Sequence, residues 1–263
     1  MSSEEIVILE EGRFGVLAGP PPEQGSGVCV LLLNAGFIHR SGPFRLHTRL
    51  ARRLAASGHA SLRFDAPGVG DSIARSDVPL VQTIRAAMDV LQFRHGYSRF
   101  VVGGLCSAAD LGWQVALADA RVCGLLSIDG LARKGWWYRF ARLRRGLAKN
   151  PVAWVRALHR RVRPRPGPGM TDADLRDWPA DGLERAQFAQ LIERGVSMFF
   201  LFTGGASYFL HRRQFGETYG AASRSAAVAF EHWPLCDHTF FAAADRLRLI
   251  DSIDDWMGRH LRR

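Results

Sequence analysis

Phe100-Val101-Val102-Gly103 runs without a polar side chain into Gly104-Leu105-Cys106-Ser107-Ala108. An apolar strand that ends in a sharp turn and passes into a helix reads this way. The pattern is the G-x-S-x-G nucleophile elbow, with Cys for Ser and Ala for the last Gly. Such a turn strains the backbone at its apex, and the helix that follows must pass close to the strand, so the flanking residues must be small. Gly104, Ala108 and Ala109 meet that need. From these five residues alone, Cys106 reads equally well as a small buried hydrophobe at a strand end.

The segments around the elbow place it in a layered fold. Residues 28–33 form an apolar run bounded by Gly27 and Asn34, and residues 60–64 form a second run between Gly58 and Asp65. Between them, Leu46, Leu50 and Leu54 recur at helical spacing across 44–57. The pattern repeats with a helix over 80–94, the strand 100–103, a helix over 108–118 and a strand over 122–128. It resumes with a strand at 196–202, a helix over 208–219, a strand at 226–230 and a terminal helix over 239–261. Strands alternating with helices predict a mainly parallel sheet covered on both faces.

The interruption, residues 131–194, opens with Trp136-Trp137-Tyr138 and contains the run Arg163-Pro164-Arg165-Pro166-Gly167-Pro168-Gly169. We read it as a helical cap inserted into a core made of 1–130 and 195–263. The cap also carries the basicity of the chain, whose formal net charge is +10. Residues 130–171 hold twelve Lys and Arg and no Asp or Glu, which leaves 23 basic against 25 acidic residues elsewhere. Such a block suits an acidic partner surface, although a solvated helical face is the commoner reading. At 263 residues and 47% hydrophobic, the chain is long enough to bury a large core. Residues 1–11 lack the basic start and apolar core of a signal peptide, and no window is long and apolar enough for a membrane span, so a cytoplasmic protein is expected. Cys29, Cys106, Cys123 and Cys236 are widely spaced with no C-x-x-C pair, so no zinc site and no disulfide framework is indicated.

A thiol attacks as thiolate, so Cys106 needs a base or a helix amino end to favour the anion. His238, in Cys236-Asp237-His238-Thr239-Phe240 between the last strand and the terminal helix, is the best-placed base. An acyl-transfer site also needs two donors for the developing oxyanion. The Ser107 amide follows the nucleophile directly, and Gly36 in Asn34-Ala35-Gly36-Phe37 permits a turn that aims the Phe37 amide inward.

Together the motifs resemble the α/β-hydrolase superfamily. They are Leu32-Leu33-Asn34-Ala35-Gly36-Phe37, His39-Arg40-Ser41-Gly42-Pro43, Leu62-Arg63-Phe64-Asp65-Ala66-Pro67-Gly68-Val69-Gly70-Asp71-Ser72, the elbow, and Asp237-His238-Thr239-Phe240. The chain looks closest to the serine-aminopeptidase-like branch that carries Cys at the elbow, as in hydrolases associated with exosortase systems and thiotemplated biosynthesis. The resemblance spans almost the whole chain outside the cap. It implies an eight-stranded, mostly parallel sheet flanked by helices, with Cys106 as nucleophile, His238 as base, and Phe37 and Ser107 as oxyanion donors. One departure stands out. The superfamily usually carries its acid just after the strand that follows the cap, but Leu201-Phe202-Thr203-Gly204-Gly205-Ala206-Ser207-Tyr208 has no carboxylate. Asp129 in Ser127-Ile128-Asp129-Gly130 is the best substitute, with Glu231 and Asp237 weaker and a Cys-His dyad also sufficient.

A thioester intermediate is matched to thioester substrates. The expected activity is therefore acyl transfer through acyl-Cys106, by an acyltransferase or thioesterase that takes its acyl group from coenzyme A or an acidic carrier protein docked on the cap, with no cofactor. Arg40, Trp136 and Trp137 are the candidate substrate-binding residues. One alternative is an esterase or amidase acting on a glycan or lipid at the inner membrane face. Another is a non-catalytic protein that binds through the basic cap. Binding of nucleic acid is disfavoured, since no recognised motif accompanies the aromatic cluster.

Overall fold

The apolar runs become the inner strands of an eight-stranded sheet ordered β1-β2-β4-β3-β5-β6-β7-β8. The computed structural model describes residues 4–9, 12–72, 77–147 and 182–261. The strands are β1 (Glu4–Ile8), β2 (Phe14–Ala18), β3 (Val28–Leu32), β4 (Ala60–Phe64), β5 (Arg99–Leu105), β6 (Val122–Ile128), β7 (Ser197–Thr203) and β8 (Val228–Trp233). β1 and β2 are antiparallel to their neighbours, and β4 through β8 with β3 pair in parallel. Every residue of β3 and β4 is buried. That is why these strands read as continuous runs and not as alternations.

The helices are α1 (Leu46–Ala56), α2 (Leu80–His95), α3 (Ser107–Ala118), α4 (Trp136–Leu147), α5 (Leu183–Glu193), α6 (Gln214–Tyr219) and α7 (Ala243–His260). The pleat sorts the core into two layers. Val28, Val30 and Leu32 of β3 face α1 and α7 through Leu46, Leu50, Leu54, Leu249, Ile253 and Trp256. Cys29 and Leu31 face α2, α3, α5 and α6 through Ile84, Met88, Trp113, Phe188 and Phe215.

Four elements differ from the sequence reading. β1 has one buried residue and β2 three of five, in short segments that the sequence reading left unassigned. The helix expected over 208–219 is confined to α6, because Tyr208 and Phe209 are buried plugs, with Phe209 stacked 3.9 Å from Phe202. α5, read as part of the cap, packs Phe188 and Leu191 into the core, and Phe188 stacks on Tyr219 at 4.6 Å. The Pro/Gly-rich run and the basic residues from Lys149 to Arg165 lie outside the described residues.

Candidate active site

Cys106 joins β5 to α3 with φ 59° and ψ −123°, a strained conformation for a residue with a side chain. Its amide donates to the Ile128 carbonyl at 2.8 Å and its carbonyl accepts from the Ala109 amide at 2.9 Å, which fixes the turn on both sides. A residue outside the motif makes the close crossing possible. A Cβ on Gly112 would lie 2.6 Å from the Gly103 Cα, so the glycine lets α3 pass against β5. The thiol is half-buried at the amino end of α3, where the partial positive charge favours an anion.

His238 stands in the loop after β8 with its Nδ1 2.6 Å from Oδ2 of Asp129. The bond to Asp129 first, and the neighbouring Cys106 second, push the imidazole up to about 10 against the opposing effect of burial. An imidazolium held beside a thiol favours the thiolate.

Asp129 ends β6 and is fully buried, with φ 50°. Thr203, at the end of the neighbouring β7, donates its amide to Oδ1 and its hydroxyl to Oδ2, both at 2.6 Å. The Tyr208 hydroxyl donates to the Asp129 carbonyl. The missing acid after β7 has a steric counterpart: a Cβ on Gly205 would lie 2.4 Å from the His238 amide nitrogen. In this chain the histidine loop sits too close to the end of β7 for a side chain there. The weaker acid candidates are engaged elsewhere. Glu231 accepts from the Trp233 indole, and Asp237 accepts from the Thr239 amide and hydroxyl and the Phe241 amide.

The Gly36 amide donates to the Ser107 hydroxyl at 2.8 Å, which ties the loop after β3 to the elbow. Among the described residues neither the Phe37 nor the Ser107 amide has a hydrogen-bond acceptor. The Phe37 ring is 86% exposed. Sequence reasoning valued Ser107 for its amide and missed the role of its hydroxyl. Beside this loop lies a cavity of about 510 Å³ whose wall includes Phe64, Val69, Leu80, Ile84, Leu111 and Ser107.

Arg40 is placed differently from the expectation. Its Nη1 lies 2.6 Å from both Asp65 and Asp71, and its guanidinium packs 4.6 Å from the Phe14 ring centroid. It therefore pins the loop after β3 to the loop after β4. The same guanidinium supplies the cation for His39, Asp65 and Asp71, whose ligand atoms lie within 4.8 Å of one another. Trp136 is exposed, while Trp137 is half-buried and stacks on His211 at 4.8 Å. Their amides donate to Glu217, which holds the start of α4 against α6. Burial pushes up the thiols of Cys29, Cys123 and Cys236.

No family model matches the sequence, and no curated protein matches it. Solved structures do. Dienelactone hydrolase from Anabaena variabilis aligns with a TM-score of 0.60 and 12% identity over 99% of both chains. A Xanthomonas campestris member of the α/β serine hydrolases, described as without lid, aligns at 0.56 and 14% over 99% of this chain and 95% of that one. The fold is that of the α/β hydrolases. A Pyrococcus furiosus esterase aligns at 0.60 and 12% over 99% of this chain and 92% of its own. At these identities the likeness concerns the α/β-hydrolase fold alone. Among the described residues, no helix is long and apolar enough to cross a membrane.

Proposed function

We propose that this α/β-hydrolase-fold chain is an enzyme that transfers acyl groups through an acyl-Cys106 intermediate, as an acyltransferase or thioesterase acting on an acyl thioester. The observation that carries the reading is the position of His238, hydrogen-bonded to Asp129 and close enough to Cys106 for each to act on the other's charge. The Cys106 thiolate attacks the acyl carbon, and the oxyanion is met by the Ser107 and Phe37 amides. The carbon–sulfur bond of the substrate breaks, and the His238 imidazolium protonates the departing thiolate. Neutral His238 then takes a proton from water, an amine or an alcohol as it attacks the acyl-enzyme, and Cys106 leaves as thiolate. Asp129 holds the ring in the required tautomer and stabilises its charge throughout.

The apolar cavity beside Ser107 suits the acyl chain. Lys134, Arg139, Arg142, Arg144 and Arg145 are exposed on or beside α4, where they suit an acidic carrier protein. A second reading, hydrolysis of a carboxylic ester, is favoured by the esterases among the structural neighbours. One experiment tests both. The reduced chain is incubated at pH 8 with acyl thioesters and activated oxygen esters, and intact-protein mass spectrometry looks for an adduct absent from Cys106→Ala. An adduct from thioesters alone supports acyl transfer, and one from oxygen esters alone supports the esterase. No adduct from either ends both readings.

A further inference from the structure

A second hollow lies beside β8 and α6. It has a volume of about 670 Å³ and is lined by His211, Arg212, Arg213, Arg224, Phe215 and Phe230, with Gly216 at its edge. In the sheet, the apolar cavity borders the β4 and β3 side of β5, and this hollow borders the β7 and β8 side. Phe230 lies on β8 three residues before Trp233, which pairs with Thr203, the residue that holds Asp129.

The lining is basic without compensation. No acidic side chain lines the hollow, and among the described residues Arg212, Arg213 and Arg224 form no ion pair. Two of the guanidiniums are anchored on aromatic rings. Arg212 lies 5.8 Å from the Phe230 centroid and Arg213 lies 4.6 Å from that of Trp137, which also stacks on His211. A guanidinium held by its face keeps its in-plane N–H donors for an anion with oxygens in a plane or fork. Charge from α4 converges on the same place. Arg144 and Arg213, after burial, hold the His211 imidazole below its ordinary range, and burial, His211, Arg212 and Arg145 do the same to His232. Asp129 acts on His232 in the opposite direction. Three exposed arginines and the His211 imidazole, with no carboxylate, form a lining completed by a multiply charged anion.

We propose that this hollow, with Arg212, Arg213 and Arg224 as its donors, binds the phosphate of a phosphate ester that forms the handle of the acyl substrate. The proposal rests on the acyl-transfer reading for the word acyl, and its anion chemistry stands apart from that reading. A pantetheine handle presents such a phosphate in two settings, on a nucleotide or on a carrier protein.

Binding is measured on full-length Cys106→Ala by calorimetry with pyrophosphate, coenzyme A, 4′-phosphopantetheine and pantetheine, alongside NMR of the histidine ring resonances. The expected result is that the phosphorylated ligands bind, that pantetheine does not, and that the His211 and His232 resonances move toward the charged form. Coenzyme A binding at least tenfold tighter than 4′-phosphopantetheine identifies a nucleotide handle, and comparable affinities identify the carrier-borne one. The double variant Arg212→Gln/Arg213→Gln, at exposed positions, weakens binding at least tenfold, while Arg259→Gln on α7 leaves it unchanged. Absence of binding by every phosphorylated ligand overturns the proposal, as does equal weakening by Arg259→Gln. Because Cys106→Ala cannot be acylated, binding here together with no adduct on the native chain retires the acyl-Cys reading and leaves the anion site standing. An adduct without anion binding does the reverse.

Discussion

Thr203 donates both its amide and its hydroxyl to the carboxylate of Asp129, each at 2.6 Å, across the junction between β7 and β6. The threonine holds an acid supplied by the end of the adjacent strand. Asp129→Asn keeps the shape and removes the charge that holds His238 in its working tautomer. We expect acyl transfer to fall by about 10²-fold or more, measured as the single-turnover rate of adduct formation, with little change in the circular dichroism spectrum.

Thr203→Val removes one of these donors from a fully buried carboxylate and leaves the other. Losing a hydrogen bond to a buried charged group costs about 1–3 kcal/mol. Urea denaturation should show a lower midpoint with an unchanged slope.

The pH dependence follows from His238. Its folded-state value of about 10 lies above the unfolded value of 6.5, so its stabilising contribution is complete below pH 6.5 and is lost as pH rises through about 10. Unfolding free energy should therefore decline between pH 7 and 10 more steeply in the native chain than in His238→Gln. Equal slopes would remove the imidazolium from the resting site.

Burial pushes Cys236 up to about 12 and also raises Cys29 and Cys123. Iodoacetamide at pH 7 should accordingly label one cysteine first. Peptide mapping should find that label on Cys106, and His238→Gln should slow it.

Gly112→Ala tests the packing under the elbow. The new Cβ would lie 2.6 Å from the Gly103 Cα, where only backbone can give way. Overpacking of this kind costs about 1–3 kcal/mol. Because the displaced element carries Ser107 and follows Cys106, the rate of adduct formation should drop along with Tm.

Much of this was legible in one dimension. The runs at 28–33, 60–64 and 122–128 are buried on both faces and needed no partner to be recognised. Cys106 was legible because an elbow is local: strand, small residues and helix start lie within nine residues. β1, β2 and the edge strand β8 were harder, since half-buried edges carry weak patterns. The partners of Arg40 were not legible because Asp65 and Asp71 lie 25 and 31 residues away, in a different loop.

By itself, then, the sequence determined the alternating elements, the strained turn with its thiol, and a histidine in the last loop, because each is written in neighbouring side chains. The tertiary structure decided which carboxylate completes the set. Asp129 and His238 are 109 residues apart. They meet because β6 and β7 pair in a register ending at Ile128 and Leu201, which leaves Asp129 within reach of the Thr203 amide and hydroxyl, and because Gly205 lets the histidine loop descend onto the end of β7. Register and close approach are properties of packed strands, and no local pattern of residues encodes them.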